Sequence, residues 1–342
     1  MKITFVGPLI LLLLVGYGGI HLFPGQAQTT EPINIVATSS IVADAVSIVG
    51  GSQVRVSTLI PLGVDLHDFE PTPSDLIKIN SSDYIFWIGG GAEESLVQLL
   101  TYWQARGQAT ALIEQVNQTQ LHIIKSGGQE HIDPHFWMDP LLWAQAVESI
   151  ARVLTSLRPQ ETSFEHNAQA YISQLQQLNQ GISTKVAQIP TTERFLVTQH
   201  ESLFYFARRY NFTTRALQGI STEAEPGVQE IDQLAQFIVQ QHVRVVFTES
   251  TTPSDQIEAV LDAARVQGQP VVVGGRIYVG SLGSDAQSNT YLKFMAYNTN
   301  TIVGAILQPP TTSTHALDFN AWFLALPLLV LPYLRKWRKI QS

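Results

Sequence analysis

Three histidines in this sequence occupy equivalent places, each between a segment with strand character and one with helix character. His67 follows the strand-like residues 54–60 and precedes a helix that is predicted to begin after Thr72. The other two are His135 and His200. In open α/β sheets, ligands bind in the loops beyond the carboxyl ends of the strands. Imidazole binds Zn, Mn, Fe, Ni and Cu, so the shared placement predicts a metal site.

Carboxylates accompany these imidazoles, because Asp65 and Glu70 lie on either side of His67. A carboxylate can complete a four-ligand set with three histidines. Spacings of tens of residues rule out a compact finger-type site. A single loop histidine is as well explained by a hydrogen bond to the backbone, so the evidence is the repetition of the placement.

The elements that carry these loops alternate between strand and helix, which predicts parallel strands with crossover connections. Residues 33–158 form a first lobe and residues 192–307 a second. Between them, residues 160–189 show one long helical pattern, predicted to be a rigid connection about 42 Å long. The predicted fold is α/β, with two lobes of mainly parallel sheets joined by a long backbone helix, and the imidazoles converge if the lobes face each other.

Composition narrows the functional classes. The chain has 342 residues, 45% of them hydrophobic and 14% charged, which indicates a folded protein large enough for two domains. The net charge of −8 argues against a nucleic-acid partner. Cysteine is absent, which excludes thiolate zinc sites, iron–sulfur clusters, a cysteine nucleophile and a lipid-modified cysteine.

Both ends of the sequence indicate export and a membrane. Residues 1–28 have a basic start, a long apolar run and a small-x-Ala ending, typical of a signal peptide or an uncleaved N-terminal anchor. Residues 308–320 form a Pro/Thr-rich linker, and residues 321–339 an apolar segment with a basic end. The positive-inside rule predicts a C-terminal membrane segment ending in the cytoplasm, with the lobes outside. The alternative is a buried C-terminal helix.

Five stretches together resemble the zinc- and manganese-binding solute-binding proteins of ABC importers, the family known as cluster A-I. The resemblance covers about residues 33–307. It includes the sequence Gly63-Val64-Asp65-Leu66-His67 and the sequence Asp133-Pro134-His135. The five stretches are residues 63–75, 133–140, 197–210, 220–226 and 290–298.

This resemblance implies that the metal is held between the lobes by His67, His135 and His200. The fourth ligand of the family is usually an Asp or Glu in the loop before the last helix. Gly280 occupies that position here. Asp285 is the nearest carboxylate and is the predicted substitute, with water as the alternative.

The resemblance further implies capture of a divalent metal outside the cytoplasm, delivery to an ABC permease with its ATPase, and no enzymatic activity. Zinc is favoured over manganese because three imidazoles are expected as ligands. The His- and acid-rich loop of many zinc-specific members is lacking, since residues 115–130 hold only His122 and a few polar residues. A membrane-anchored monomer at the cell surface is expected.

Two other functions fit the same residues. An exported mononuclear zinc hydrolase also uses three protein ligands and an open position, with Glu201 or Glu225 as the base. Neither an HExxH motif nor a nucleophile elbow is present. A membrane-anchored, metal-dependent adhesin would suit the terminal segments equally well.

Overall fold

The computed structural model describes residues 31–126, 129–222 and 225–308. They form a mixed α/β fold with parallel sheets and long helices, which confirms the predicted fold class. The strands are β1 (Ile33–Ala37), β2 (Val54–Thr58), β3 (Tyr84–Trp87), β4 (Ala109–Ala111), β5 (Ile123–Ser126), β6 (Gln129–Ile132), β7 (Phe195–Thr198), β8 (Thr213–Ala216), β9 (Val245–Glu249) and β10 (Val272–Ile277). The helices are α1 (Ser40–Gly50), α2 (Pro73–Asn80), α3 (Val97–Ala105), α4 (Pro140–Leu157), α5 (Ser163–Val186), α6 (Phe204–Tyr210), α7 (Val228–Gln240), α8 (Asp255–Val266) and α9 (Tyr291–Leu307).

The sheet of the first lobe has the strand order β2-β1-β3-β4, and all its neighbouring strands are parallel. Strand β3 is buried along its whole length, as expected for the inner strand of a covered parallel sheet. Because the strands are parallel, their carboxyl ends share one edge. The loop that carries His67 leaves this edge after β2.

Helix α5 runs from Ser163 to Val186 and is 24 residues long, or about 36 Å. Its buried side chains recur at helical spacing, as at Phe164, Tyr171, Leu175 and Ile182. This face packs against α1 and α4 of the first lobe and against α9 of the second. The long helix therefore contacts both lobes.

The second lobe contains two parallel strand pairs, β7 with β8 and β9 with β10. Strands β7 and β9 lie next to each other, so their carboxyl ends are also neighbours. His200 lies two residues after the end of β7, and Glu249 is the last residue of β9. This edge thus supplies both an imidazole and a carboxylate.

One hydrophobic core extends through both lobes. It contains β1 and β3 of the first lobe together with Tyr205, Phe206 and Phe294 of the second. A separate, smaller core lies between β7, α7 and α8 and includes Val197 and Leu234. Helix α6 packs into the larger core, which fixes the segment after His200 against the first lobe.

Several local predictions differ from the structure. Strand β8 at Thr213–Ala216 is as short as its parallel partner β7. Strand β4 and the antiparallel hairpin of β5 and β6 were not predicted. The hairpin begins within residues 115–130, whose polar composition resembles that of a loop, and ends at Ile132.

The predicted signal or anchor at residues 1–28 and the predicted membrane segment at residues 321–339 lie outside the described residues, as does the linker beyond Gln308. Within the described part of the chain, every helix is too short or too polar to cross a bilayer. The domain boundaries at the two ends therefore remain predictions.

Candidate metal centre

His67 lies in the loop that connects β2 to α2. A capping box fixes the far end of this loop, since the Thr72 backbone N–H donates to Asp75 Oδ2 at 3.0 Å. Nearer the histidine, Asp65 Oδ1 accepts the backbone N–H of His67 at 3.0 Å. The His67 side chain is buried, but its Nδ1 has no hydrogen-bond partner among the described residues.

His135 is held more completely. Asp133 Oδ1 accepts both the backbone N–H of His135 at 3.0 Å and its Nδ1–H at 2.9 Å. Because Nδ1 carries the proton, Nε2 presents a lone pair to the centre. The short turn Phe136–Met138 follows, and Asp139 then caps α4 by accepting the Leu141 N–H at 2.9 Å.

His200 extends from the carboxyl end of β7. Its Nδ1–H donates to Glu249 Oε2, and its backbone N–H donates to Glu249 Oε1 at 3.2 Å. Thr198 Oγ1 donates to the His200 carbonyl oxygen at 2.8 Å. Its Nε2 therefore faces away from the carboxylate and towards the other two imidazoles.

The structure brings the three imidazoles together. Nε2 of His135 lies 3.4 Å from Nε2 of His67 and 3.2 Å from Nε2 of His200. Two nitrogens of a tetrahedral zinc site with bonds of ~2.0–2.1 Å are about 3.3–3.4 Å apart. All three side chains are buried. These two distances fit a tetrahedral zinc site, and the candidate ligand atoms of all three residues lie within 4.8 Å of one another.

Burial and neighbouring charges shift the pKa values of the three imidazoles in different directions. Burial, reinforced by the other two imidazoles, lowers the pKa of His67 to about 3, and burial also lowers the pKa of His135 well below its ordinary value. Burial opposes protonation of His200 as well, but the Glu249 carboxylate outweighs it and raises the pKa of this imidazole. His200 is thus the first of the three to gain a proton as the pH falls.

Asp285 does not lie among the three imidazoles. Its side chain is exposed, and it accepts hydrogen bonds from the Gln287 backbone N–H at 2.7 Å and from the Tyr278 hydroxyl at 3.2 Å. Gly280, in contrast, lies against the loop of the first histidine. A Cβ at this position would meet Leu66 Cγ at 3.6 Å, an ordinary contact.

Sequence reasoning did not assign roles to Asp133 and Glu249, the two carboxylates that contact ligand imidazoles. Glu249 ends a strand whose carboxyl end lies at the site, the same placement that singled out the histidines. Asp133 stands two residues before His135, as Asp65 stands two residues before His67. The strand end at Glu249 and the spacing of Asp133 and His135 could therefore have been recognised in the sequence.

The site has an opening on the side of His67. A cavity of about 340 Å³ adjoins this residue. Gly90, Pro134 and Ile220 are among its lining residues, so both lobes contribute to its wall. The cavity thus borders the site at His67, between residues of both lobes.

Comparison with known proteins agrees with this geometry. The family model described as zinc-uptake complex component A, periplasmic (ZnuA), matches residues 35–305. The chain belongs to this family. Among its relatives, the manganese-binding lipoprotein MntA of Bacillus subtilis is 31% identical over 278 residues, 81% of this chain and 90% of MntA.

Two further relatives carry informative names. The zinc-binding protein TroA of Treponema pallidum is 30% identical over 84% of this chain and 94% of TroA. A solved structure of TroA covers 80% of this chain and 99% of its own, with a TM-score of 0.77. The metal ABC transporter substrate-binding lipoprotein SloC of Streptococcus mutans is 27% identical over 88% of this chain and 99% of SloC. Membership of the predicted family is thereby confirmed.

Proposed function

We propose that this chain captures a divalent transition metal outside the cytoplasm and delivers it to an ABC importer, composed of a permease and its ATPase. The observation that carries the proposal is the convergence of three buried imidazole Nε2 atoms at 3.2 and 3.4 Å. Membership of the zinc-uptake family supports it. The metal is cargo rather than a resident cofactor, so the chain acts as a binding protein and not as an enzyme.

In this proposal His67, His135 and His200 are the protein ligands, and a water takes the fourth position. Asp285, the substitute predicted from the sequence, is bonded to its own loop and would have to leave those partners to reach the ion. A site of three imidazoles and one water is common for zinc, whereas carboxylate oxygens suit manganese better. We therefore place zinc ahead of manganese as the cargo.

Attachment to the membrane is assigned to the terminal segments. MntA and SloC are lipoproteins by name. The present sequence has no cysteine to carry such a lipid. We propose that residues 321–339, and residues 1–28 if they are not cleaved, hold a monomeric binding domain at the outer surface of the membrane. Cell fractionation with protease protection tests this: the lobes should be accessible from outside and stay with the membrane.

The metal proposal is tested with residues 29–314, by elemental analysis and by calorimetric titration with Zn²⁺ and with Mn²⁺. Wild type should bind one equivalent of Zn²⁺, more tightly than Mn²⁺. The His67→Ala variant should lose most of the Zn²⁺ affinity while keeping its fold. Equal Zn²⁺ affinity in wild type and variant would refute the assignment of the site.

No feature of the site favours the hydrolase or the adhesin. Of the two candidate bases, Glu225 is exposed and Glu201 is only half-buried. Esterase and peptidase assays of the zinc-loaded protein should show no metal-dependent turnover. Turnover that disappears with His67→Ala would replace the transport proposal by the hydrolase.

A further inference from the structure

We infer that Asp133 and Glu249 make the site selective for doubly charged ions, because they hold two of the imidazoles and place two negative charges behind them. The inference rests on the proposed function, since it concerns the same three-histidine site. It goes further by assigning selectivity for doubly charged ions to two residues that do not themselves touch the ion.

Asp133 is completely buried. Its Oδ1 accepts two hydrogen bonds from His135, one from the backbone and one from the ring, while its Oδ2 has no hydrogen-bond partner among the described residues. A buried carboxylate oxygen without a partner costs free energy unless positive charge lies close by. An ion bound at His135 Nε2, on the other side of the same ring, supplies that charge.

Glu249 has the matching arrangement in the second lobe. It is 2% exposed, and its two oxygens accept the ring Nδ1–H and the backbone N–H of His200. The Gln199 side-chain oxygen in turn accepts the Glu249 backbone N–H at 2.6 Å. The carboxylate is therefore held in place before an ion arrives.

Within the part of the chain that the structure describes, neither carboxylate forms an ion pair with Lys or Arg. Among the described residues, the only ion-pair partner of Asp133 is His135, and that of Glu249 is His200. In their ionised forms, these two buried carboxylates place two negative charges behind the imidazoles, and one divalent ion balances them. A third carboxylate, Asp65, accepts the backbone N–H of His67 and is the most exposed of the three, so water screens it better.

If the charges of the two carboxylates act on the ion, they produce an effect that imidazole orientation alone does not. The Coulomb energy between the ion and a carboxylate is proportional to the charge of the ion. Removing one negative charge should therefore change the logarithm of the affinity twice as much for a doubly charged ion as for a singly charged one. Loss of ring orientation alone would weaken both ions by similar factors.

The experiment compares Zn²⁺ with Ag⁺, a singly charged ion that also binds imidazole. The full chain in detergent is titrated in nitrate buffer with chelator competition, and the absence of cysteine removes the strongest competing silver ligand. The variants are Asp133→Asn and Glu249→Gln, each nearly isosteric. Asp44→Asn is the control, because Asp44 is a partly buried carboxylate that accepts the Tyr291 N–H at 2.9 Å and contacts no ligand imidazole.

In each site variant, Zn²⁺ affinity should fall by about 10–100-fold, the usual effect of losing a carboxylate behind a ligand histidine. Ag⁺ affinity should fall by only about 3–10-fold, the square root of that loss. The control should change neither ion by more than about twofold. Thermal unfolding of each metal-free variant establishes that it is folded, and either site variant alone suffices for the test.

Equal fold-losses for Zn²⁺ and Ag⁺ would overturn the inference and leave the two residues with an orienting role only. That result is distinguishable from failure of the proposed function. If the proposed function fails, wild type itself does not bind Zn²⁺ tightly or His67→Ala binds it equally well.

Discussion

Two turns of the first lobe have the same local pattern but hold their histidines differently. In Asp65-Leu66-His67 and in Asp133-Pro134-His135, the aspartate Oδ1 accepts the backbone N–H of the histidine two residues later, at 3.0 Å in both. Only Asp133 also accepts the ring Nδ1–H. The Nδ1 of His67 has no partner among the described residues.

The residue between aspartate and histidine offers a physical reason for the difference. Pro134 has a fixed φ and restricts the preceding Asp133 to extended conformations, so the carboxylate and the ring are held in one relative position. Leu66 imposes no such restriction. The comparison indicates that His135 is oriented before the ion binds, whereas the orientation of the His67 ring depends on the ion itself.

The strongest way to test this contrast is to remove each ring. His135→Ala and His67→Ala should each weaken Zn²⁺ binding by more than about 100-fold, since loss of a supporting carboxylate alone typically costs 10–100-fold. The metal-free proteins should differ. His135→Ala leaves the buried Asp133 without its ring partner and should lower the free energy of unfolding by about 1–3 kcal/mol more than His67→Ala does.

Urea unfolding of the two metal-free variants measures this difference. If both variants have the same stability, the His135 ring is not held more firmly than the His67 ring.

The second test removes the two aspartate charges. Asp133→Asn should reduce Zn²⁺ affinity by about 10–100-fold. Asp65→Asn should reduce it by less than about fivefold, because the amide oxygen still accepts the His67 backbone N–H and the ring was never bonded to it. Competition with a zinc chelator gives both values, and a larger loss for Asp65→Asn would reverse the proposed roles of the two turns.

The pH dependence brings the third histidine into the comparison. A protonated imidazole cannot bind the ion, so the highest pKa determines where affinity begins to fall. That imidazole is His200, whose pKa is raised by Glu249, while the pKa of His67 is about 3. Asp133, whose pKa burial raises to about 7, acts in the same direction because its protonated form holds His135 less well.

Zn²⁺ affinity should therefore decrease with falling pH, starting above pH ~6.5, and be at least about 30-fold lower at pH 5 than at pH 7.5. Titration calorimetry at the two pH values measures the change. In Glu249→Gln the decrease should begin at lower pH, because the carboxylate that raises the pKa of His200 is gone. A wild-type affinity independent of pH would be inconsistent with histidine ligation.

The smallest expected effect concerns Gly280, which lies against Leu66 in the first turn. A side chain fits there, since a Cβ would meet Leu66 Cγ at 3.6 Å. Gly280→Asp should add a carboxylate to the site and increase the affinity for Mn²⁺ relative to Zn²⁺ by roughly tenfold. Gly280→Asn is the matched neutral control, and an equal change in both variants would show that the added carboxylate does not reach the ion.

The sequence predicted the fold and the convergence of the three histidines well, because both follow from local patterns. Strand–helix alternation determines parallel pairing, and parallel pairing brings the carboxyl ends of strands together. The contact between Glu249 and His200 joins the last residue of β9 to a residue in the loop after β7, 49 positions apart. Such contacts depend on how the strand pairs of the second lobe lie side by side, which one sequence pattern does not determine.

The fourth ligand position likewise depends on a conformation that the sequence pattern does not give. Asp285 is five residues from Gly280, and sequence distance made it the natural substitute. In the folded chain its carboxylate is bonded to Gln287 and Tyr278. Loop conformation, which a count of residues does not give, decides where this side chain lies.

The number of imidazoles bound to the ion shows most directly whether His67, His135 and His200 are the ligands. Zinc K-edge X-ray absorption of the wild-type protein with one equivalent of Zn²⁺ measures it. We expect three imidazole nitrogens and one oxygen at ~2.0–2.1 Å. A shell with two or fewer imidazoles would contradict this assignment.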